Sequence, residues 1–432
     1  MMQILRFDEP GFAAAFSKIE ERGETPPDGV EETVAAIIAD VRKRGDAALF
    51  DYTERFDRLT LTAQTLEIGQ EELDAALASI DADSRAALEL ATERIARFHE
   101  KQKTQTWIST EEEDILLGQM VRPLDRVGIY VPGGKAAYPS SVLMNAVPAK
   151  VAGVDEVIMV VPTPGGEVNP HVLAAAKLSN VDRVFRVGGA QAVAALAYGT
   201  DTVPRVDKIT GPGNIYVATA KKQVYGRVDI DMIAGPSEIL VINDGSGVAA
   251  HIAADLLSQA EHDELASSVL VTTCKEMALA VQREVERQLG ELSRESIARQ
   301  SIDAYGAIIV AKNLDEVIDF SNRIAPEHLE LAVADPFAIL AQIRHAGAIF
   351  MGHHTPEAAG DYLAGPNHTL PTGGTARFYS PLAVDDFVKK SSIVSFSAQG
   401  LKRLGREIVH VAELEGLTAH ARSVSIRLDS ED

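Results

Sequence analysis

Short apolar segments alternate with helix-like segments from Arg126 onward, and this alternation constrains the fold more than any other feature. The first apolar run spans residues 127–131 and ends at Pro132. Helix-like stretches separate it from further strand candidates, which are residues 157–161, 183–187, 208–210 and 239–242. Strand, glycine-rich turn and helix in repetition indicate a parallel α/β sheet. Ligands of such sheets bind outside the carboxyl ends of the strands.

Two glycine-rich turns of this region have the position of a phosphate-binding turn. Residues 188–191 (GGAQ) and 211–214 (GPGN) each follow a predicted strand and open a predicted helix. The bare N–H groups at a helix start suit a phosphate. Neither turn completes the G-x-G-x-x-G pattern, and the chain contains no Walker A sequence. A nucleotide site and tight turns without a ligand are both compatible with this pattern.

The remaining patterns predict a second α/β unit between helical ends. Strand candidates 268–272, 307–310, 329–333 and 348–351 alternate with helix-like stretches, whereas residues 31–52, 71–102 and the tail from Ser397 have helical spacing. Residues 1–13 are a candidate edge element. The prediction is therefore a mainly helical part (1–125) packed on the α/β core, a first α/β domain (126–244), a second α/β domain (245–380) and a helical tail (381–432).

Composition indicates which classes of partner the chain lacks. Its 432 residues carry a formal net charge of −22, which argues against nucleic acid or an anionic membrane as the main partner. The single cysteine, Cys274, excludes a disulfide framework and a cysteine-rich zinc site. The sequence has neither the apolar core of a signal peptide nor the ~18 apolar residues of a membrane span. We expect a cytoplasmic protein.

An amide and an imidazole occupy an apolar helix stripe near residue 260. At about 100° per residue, Gln259 and His262 fall on the face of Val248, Ile252 and Leu256. Polar groups on a buried stripe need hydrogen-bonding partners. They are either polar core residues bonded to nearby backbone or two ligands, three positions apart, of a metal or a substrate.

Nine of the eleven histidines follow residue 250, and several have acidic neighbours. Glu327 and His328 lie where a predicted helix ends and a strand begins, so they are either a solvated strand edge or two residues that serve one site. A loop rich in glycine, proline and histidine (352–375) contains Asp361 and His368, and His420 lies on an apolar stripe of the tail. Any metal site must be assembled from remote parts, and imidazole, amide and carboxylate ligands suit zinc or a similar divalent ion.

The sequence resembles the histidinol dehydrogenase family over nearly its whole length, from about residue 25. The resemblance is carried together by VGIYVPGG (127–134), GGAQA (188–192), GPGN (211–214), AGPSE (234–238), LLSQAEH (256–262), APEHL (325–329), GDYLAGPNHTLP (360–371) and EGLTAHA (415–421). It implies oxidation of L-histidinol through L-histidinaldehyde to L-histidine in two NAD-dependent steps, and hence a role in histidine biosynthesis. It also implies a fold of two incomplete Rossmann-like α/β domains with smaller helical N-terminal and C-terminal parts.

The resemblance implies a role for each matching position. One zinc ion per subunit would be held by Gln259, His262, Asp361 and His420, with His420 coming from the partner chain of a homodimer. His328 would take the alcohol proton, and Glu327 would activate water on the aldehyde. Substrate would contact Ser237, Glu415, His328 and the zinc ligands, and NAD would contact Tyr130, Gln191 and Asn214.

Three other functions remain as alternatives. A related zinc- and NAD-dependent dehydrogenase of another amino or sulfonated alcohol would be expected to differ first at its substrate contacts, and Ser237, Glu327, His328 and Glu415 are all in place. A metallohydrolase with the same histidines and carboxylates leaves the glycine-rich turns of the first α/β domain unexplained. A catalytically silent binding protein on this fold is disfavoured by the intact acid–base and ligand positions.

Overall fold

The computed structural model describes residues 2–20, 29–133 and 137–429, and the chain divides into two compact units. The first unit comprises Met1–Gln102 and Leu124–Phe387, and the second comprises Lys103–Pro123 and Val388–Asp432. Met1 of the predicted edge element and Gly134, the last residue of VGIYVPGG, lie outside the described residues. No helix in the described ranges has both the length and the apolar character needed to cross a membrane.

Helices and strands alternate along the chain. The strands are β1 (Gln3–Arg6), β2 (Glu67–Ile68), β3 (Trp107–Ser109), β4 (Ile115–Pro123), β5 (Arg126–Tyr130), β6 (Glu156–Val160), β7 (Arg183–Phe185), β8 (Lys208–Thr210), β9 (Asp229–Ile230), β10 (Glu238–Asn243), β11 (Ser267–Thr272), β12 (Gly306–Val310), β13 (His328–Ala332), β14 (Ala348–Met351) and β15 (Val388–Phe396). The helices are α1 (Phe12–Glu20), α2 (Val30–Arg44), α3 (Asp46–Asp57), α4 (Gln70–Ser79), α5 (Ala82–Glu100), α6 (Pro139–Ala152), α7 (Pro170–Leu178), α8 (Gly189–Tyr198), α9 (Ile215–Val224), α10 (Ala249–Ala260), α11 (Lys275–Leu289), α12 (Glu295–Tyr305), α13 (Leu314–Ile324), α14 (Pro336–Leu340), α15 (Glu357–Ala359), α16 (Ala398–Leu414) and α17 (Thr418–Leu428).

The first sheet of the first unit has the order β2-β7-β6-β5-β8-β9, and its strands are parallel except for the β2–β7 pair. Its central strands β5 and β6 are mainly apolar after a charged first residue, because helices cover both faces. In β6, Ile158 and Val160 face α2, α8 and α9, whereas Val157 and Met159 face α4 to α7. The N-terminal helices α2, α4 and α5 pack against the helices of this layer.

The second sheet has the order β1-β12-β11-β10-β13-β14, and each neighbouring pair is parallel. The predicted edge element is confirmed as β1, which pairs with β12. Residues 239–242 were predicted in the first α/β domain, and this placement is wrong because β10 pairs with β11 and β13 near the centre of the second sheet. The strand pattern itself was correct, but an apolar run does not specify which sheet it joins.

The second unit consists of an antiparallel sheet and two helices. The sheet has the order β15-β4-β3, and β15 pairs with β4 along its full length. The tail predicted as helical from residue 381 therefore includes a strand, which forms because β4 supplies its hydrogen-bonding partners. The helical pattern from Ser397 is confirmed by α16 and α17, and the Ser397 side chain caps α16 by accepting from the Gly400 N–H.

Candidate active site

The end of α10 places Gln259 and His262 beside the second sheet. Gln259 is fully buried on the last turn of the helix, as predicted. His262 lies two residues beyond the helix end and is half-buried, and its N–H donates to the Gln259 carbonyl at 3.1 Å. Val248, predicted on the same buried stripe, precedes the helix and is 50% exposed. The apolar stripe is therefore shorter than predicted, but both polar side chains lie at the same end of α10.

Glu327 and His328 are both held by the backbone of Glu238. The Glu238 N–H donates to Glu327 Oε2 at 2.9 Å, and the Glu238 carbonyl accepts from His328 Nδ1 at 3.0 Å. The parallel pairing of β10 with β13 sets this arrangement, because Ile239 lies opposite His328. The structure thus brings the two residues to one site at the start of β13.

His328 has a free basic nitrogen on the side away from Glu238. Because Nδ1 donates to a carbonyl, Nε2 of the neutral ring carries the lone pair. His328 is buried, and its Nε2 has no hydrogen-bonding partner among the described residues. The nearest carboxylate oxygen given for it is Asp361 Oδ1, at 3.7 Å. This nitrogen can accept a proton from a group that enters between the two side chains.

Three side chains form a cluster with the geometry of a metal site. His262, Glu357 and Asp361 each offer a ligand atom, and these atoms lie within 4.8 Å of one another. Asp361 lies on the π-helical turn Gly360–Ala364, which directly follows α15. An imidazole nitrogen and carboxylate oxygens suit zinc or a similar divalent ion. The residues present therefore fit a metal, although the sequence pointed to Gln259 where the cluster has Glu357.

Gln259 contacts this cluster through Glu357. In the amide orientation that satisfies its neighbours, the Gln259 nitrogen donates to Glu357 Oε1 at 2.6 Å. The amide oxygen then accepts from the Glu238 N–H at 2.6 Å. Glu357 was missed by the sequence analysis, although its position four residues before Asp361 puts both on one face of a helical turn.

Burial controls the protonation of these groups. It raises the pKa of Glu327 and the pKa of Glu357 to about 8 each. Burial disfavours the charged form of His328, but the Glu357 and Glu327 carboxylates raise its pKa well above the ordinary value. Burial would likewise raise the pKa of Asp361, yet its contact with His328 lowers the net value. The site thus gathers carboxyl groups whose ionised forms a bound cation would favour.

His368 also belongs to this region. Its Nδ1 lies 3.9 Å from Asp361 Oδ1, and burial lowers its pKa. The sequence analysis placed His368 in the glycine- and histidine-rich loop but assigned it no role. The loop folds so that the His368 ring faces the same carboxylate as His328.

The other predicted substrate contacts, Ser237, Glu415 and His420, are not among the residues of the cluster. Ser237 directly precedes Glu238, so it is next to the residue that holds the acid–base pair. Glu415 ends α16 and His420 lies in the first turn of α17, and both are exposed residues of the second unit. His420 was predicted on an apolar stripe, but its side chain is not covered within this chain. The first unit brings together five predicted residues: Gln259, His262, Glu327, His328 and Asp361.

The predicted NAD contacts lie at the carboxyl ends of the first sheet. Tyr130 ends β5 and its hydroxyl accepts from the Gly189 N–H at 3.0 Å, while burial raises its pKa to about 12. Gln191, in the first turn of α8, is buried, and its Oε1 has no partner in the part of the chain that the structure describes. Asn214 caps α9 by accepting from the N–H groups of Tyr216 and Val217.

A buried ion pair, which the sequence analysis missed, holds the turn of residues 211–214. Asp231 accepts from the Gly211 N–H at 2.8 Å, and Lys221 donates to the Gly211 carbonyl at 3.0 Å and to Asp231 itself. Gly211 has φ +106°, and a Cβ there would lie 2.1 Å from the Tyr130 carbonyl oxygen. The ion pair therefore fixes a backbone path that a residue with a side chain could not follow.

Comparison with known proteins gives one consistent family. The family model described as histidinol dehydrogenase matches residues 20–428. The histidinol dehydrogenase of Syntrophotalea carbinolica is 72% identical over 428 residues, which are 99% of this chain and 99% of that protein. That of Geobacter sulfurreducens is 71% identical over 428 residues, covering 99% of this chain and 100% of the relative.

Solved structures agree with this result. The crystal structure of histidinol dehydrogenase from Elizabethkingia anophelis matches with a TM-score of 0.93 and 37% identity, covering 99% of this chain and 98% of that one. An acetylating aldehyde dehydrogenase from Geobacillus thermoglucosidasius matches with a TM-score of 0.51 and 11% identity, covering 89% and 94% of the two chains. The second match shows similarity of fold alone.

If the cluster at His262 binds zinc, zinc should stabilise the folded protein. Zinc that binds the folded chain at about 100 times its Kd should raise the Tm of the metal-depleted protein by roughly 3 °C. His262→Asn should abolish most of this increase, whereas His171→Asn, outside the cluster, should retain it. Differential scanning calorimetry with and without zinc measures both. An unchanged zinc response in His262→Asn would exclude His262 as a ligand.

Proposed function

The chain belongs to the histidinol dehydrogenase family and is an oxidoreductase, and on that premise we propose that it oxidises L-histidinol through L-histidinaldehyde to L-histidine in two NAD-dependent steps. The observation that carries this proposal is the free Nε2 of buried His328 beside Glu327 and the metal cluster. The imidazole of His328 can accept a proton, and the carboxyl group of Glu327 lies beside it. This pair matches a reaction that removes a proton and then adds water. We infer a cytoplasmic enzyme of histidine biosynthesis.

We propose that the residues predicted from the sequence bind zinc and NAD. Gln259, His262 and Asp361 would hold zinc together with His420 of a partner chain, and Tyr130, Gln191 and Asn214 would contact NAD. When bound, zinc orients the amine and imidazole of the substrate and NAD accepts hydride. Support comes from the imidazole and carboxylate cluster at His262 and from the buried, unpartnered amide oxygen of Gln191 at a helix start.

His328 is the base of the first oxidation. As hydride leaves the carbinol carbon, the hydroxyl proton passes to His328 Nε2. The Glu238 carbonyl holds Nδ1–H and so keeps the lone pair on the substrate side. Ser237, next to Glu238 in the chain, and Glu415 are the proposed additional substrate contacts. The ring orientation therefore depends on the same strand pairing that builds the sheet.

Glu327 is the base of the second oxidation. Its carboxylate removes a proton from water as the water oxygen adds to the aldehyde carbon, which forms a hydrate. Loss of a second hydride from the hydrate gives the carboxylic acid. A base performs best when its pKa lies near the working pH, and burial raises the pKa of Glu327 to about 8. The Glu238 N–H stabilises the ionised carboxylate by donating to Oε2.

We propose a homodimer with shared active sites. The second unit exposes a series of apolar side chains on α16 and α17, namely Ile408, Val411, Leu414, Leu417 and Ile426. Exposed apolar patches of this kind are typical of subunit interfaces. Covering this surface with a second copy would bury the helix that carries His420, the residue proposed to complete the metal site of the partner.

The proposed reaction is tested by its stoichiometry. Purified protein with excess NAD and limiting L-histidinol should form two NADH per histidinol, measured by absorbance. L-alaninol and a sulfonated amino alcohol serve as comparison substrates, because a dehydrogenase of another alcohol would oxidise one of them faster. Absence of NADH with every substrate in the presence of zinc would refute dehydrogenase activity.

Glu327→Gln separates the two half-reactions. The amide cannot accept a proton, so aldehyde oxidation should fall at least about 100-fold, whereas alcohol oxidation should fall much less. Single-turnover assays that start from histidinol and from histidinaldehyde measure the two rates. Glu54→Gln, on the exposed surface of α3, is the control. Equal losses in both half-reactions would contradict the role of Glu327 in activating water.

Mixed dimers test the shared site. We expect His420→Ala and Gln259→Ala chains to be inactive alone and to form one intact site per mixed dimer after subunit exchange. A mixture at equal concentrations should therefore regain about one quarter of wild-type activity, because half of the dimers are mixed. Exchange is verified with differently tagged chains. If exchange occurs and no activity returns, His420 does not act across the dimer.

A further inference from the structure

A cavity with several polar lining residues lies beside the first half of α10, away from His262. Its volume is about 320 Å³, within the range of small-molecule pockets. Its lining comprises Val248, His251, Ile252, Ala254, Asp255, Glu330, Ala332, Gly352, His353, His354, Thr355 and Pro356. None of these residues has a part in the proposed oxidation. The cavity is thus a separate feature that the proposed reaction leaves unexplained.

The cavity occupies a ligand-binding position of the fold. The order of the second sheet changes direction between β10 and β13, as the order of the first sheet does between β5 and β8. Open parallel sheets bind ligands at this point, outside the carboxyl ends of the strands. The cavity is lined by residues of β13 and by the segments that follow β10 and β14. It is therefore the counterpart, in the second sheet, of the proposed NAD region in the first.

A dinucleotide is not the occupant. Residues 245–250 (GSGVAA) follow β10 and open α10 in a G-x-G-x-x-A pattern. The second glycine of that pattern normally lets the pyrophosphate approach the backbone. Here the His353 ring takes that space, because a Cβ on Gly247 would lie 2.5 Å from His353 Nδ1. His353 Nε2 is held by the Ser246 hydroxyl at 3.1 Å.

Two carboxyl groups form the floor of the cavity. Glu330 is only 4% exposed although it faces α10, the side on which Ile239 and Val241 form apolar core. It accepts from the Glu357 N–H at 2.8 Å, and it contacts Asp255 of α10. Within the described ranges, neither carboxyl group has a lysine or arginine partner among the ion pairs. Glu330 is buried and Asp255 is half-buried, and the two adjacent carboxyl groups offer acceptor oxygens to a cation that enters the cavity.

The side chains that line the cavity determine which kind of cation fits. His251, His353 and His354 surround the cavity, whereas Ile252 and Ala332 supply an apolar surface. A volume of about 320 Å³ is many times that of a bare ion. Within the described residues, the sole set of three ligand atoms close enough to hold a metal is the cluster at His262. An organic cation with a second polar group is the better match.

We propose that this cavity is a second, non-catalytic site for a small primary amine of the amino alcohol or amino acid class. The ammonium group donates to Asp255 and Glu330, and the hydroxyl or carboxylate on the neighbouring carbon bonds the imidazoles at the rim. The carbon chain packs against Ile252 and Ala332. The proposal does not depend on dehydrogenase activity, and it adds a ligand position to the second sheet.

The test is a ligand-observed NMR titration of the purified protein with L-alaninol, L-alanine and the uncharged propane-1,2-diol. Saturable binding of an amine is expected, with no comparable binding of the diol. Asp255→Asn removes a charged acceptor, and Ala254→Phe places a ring at the mouth of the cavity. Each should raise the amine Kd by about tenfold or more. Preference for alaninol or alanine identifies the class.

Controls separate the cavity from the active site. Asp319→Asn and Ala75→Phe, on exposed faces of α13 and α4, should leave the Kd within about twofold. Ala254→Phe should keep wild-type NADH formation, so loss of amine binding cannot be attributed to a damaged active site. The proposal is overturned if wild type binds no amine, if the diol binds equally, or if both cavity variants bind amine normally. A second zinc per chain that both variants lose, without amine binding, would also overturn it.

Discussion

The backbone of Glu238 is the contact on which the site depends, because it holds Glu327 and His328 at once. Its N–H donates to the carboxylate and its carbonyl accepts from the imidazole. Both contacts require the register in which Ile239 lies opposite His328. Apolar residues on both faces of β10 and β13 fix that register, since a slip of one residue would exchange the buried faces. The packing of the core and the position of the acid–base pair thus depend on the pairing of β10 with β13.

A second constraint is the number of carboxyl groups buried along α10 and β13. Glu327, Glu357 and Glu330 are buried together, and burial raises the pKa of each, that of Glu330 to about 9. A sequence selected only for stability would avoid such a group. The proposed metal near one end of α10 and the proposed ammonium group near its middle would each favour the ionised forms of these buried carboxyl groups. The two sites therefore have one electrostatic cause.

Much of the fold could be predicted because strands covered on both faces are continuous apolar runs between glycine-rich turns. Residues 208–210 match β8 at both ends. The sheet joined by β10 could not be predicted, since its partners are remote in sequence. Glu357 was missed because α15 is too short to show a period, and the Lys221–Asp231 pair because charged residues usually lie at the surface. The family resemblance supplied the residue roles that spacing alone left open.

The most direct measurement is anomalous diffraction at the zinc absorption edge, from crystals of the protein loaded with zinc. The account predicts a peak within about 2.0–2.2 Å of His262 and a carboxylate oxygen of Asp361, with His328 Nε2 outside bonding distance. That result would leave His328 free to accept the substrate proton. A peak bonded to His328, or no peak at His262 and Asp361, would contradict the separation of metal binding from proton transfer.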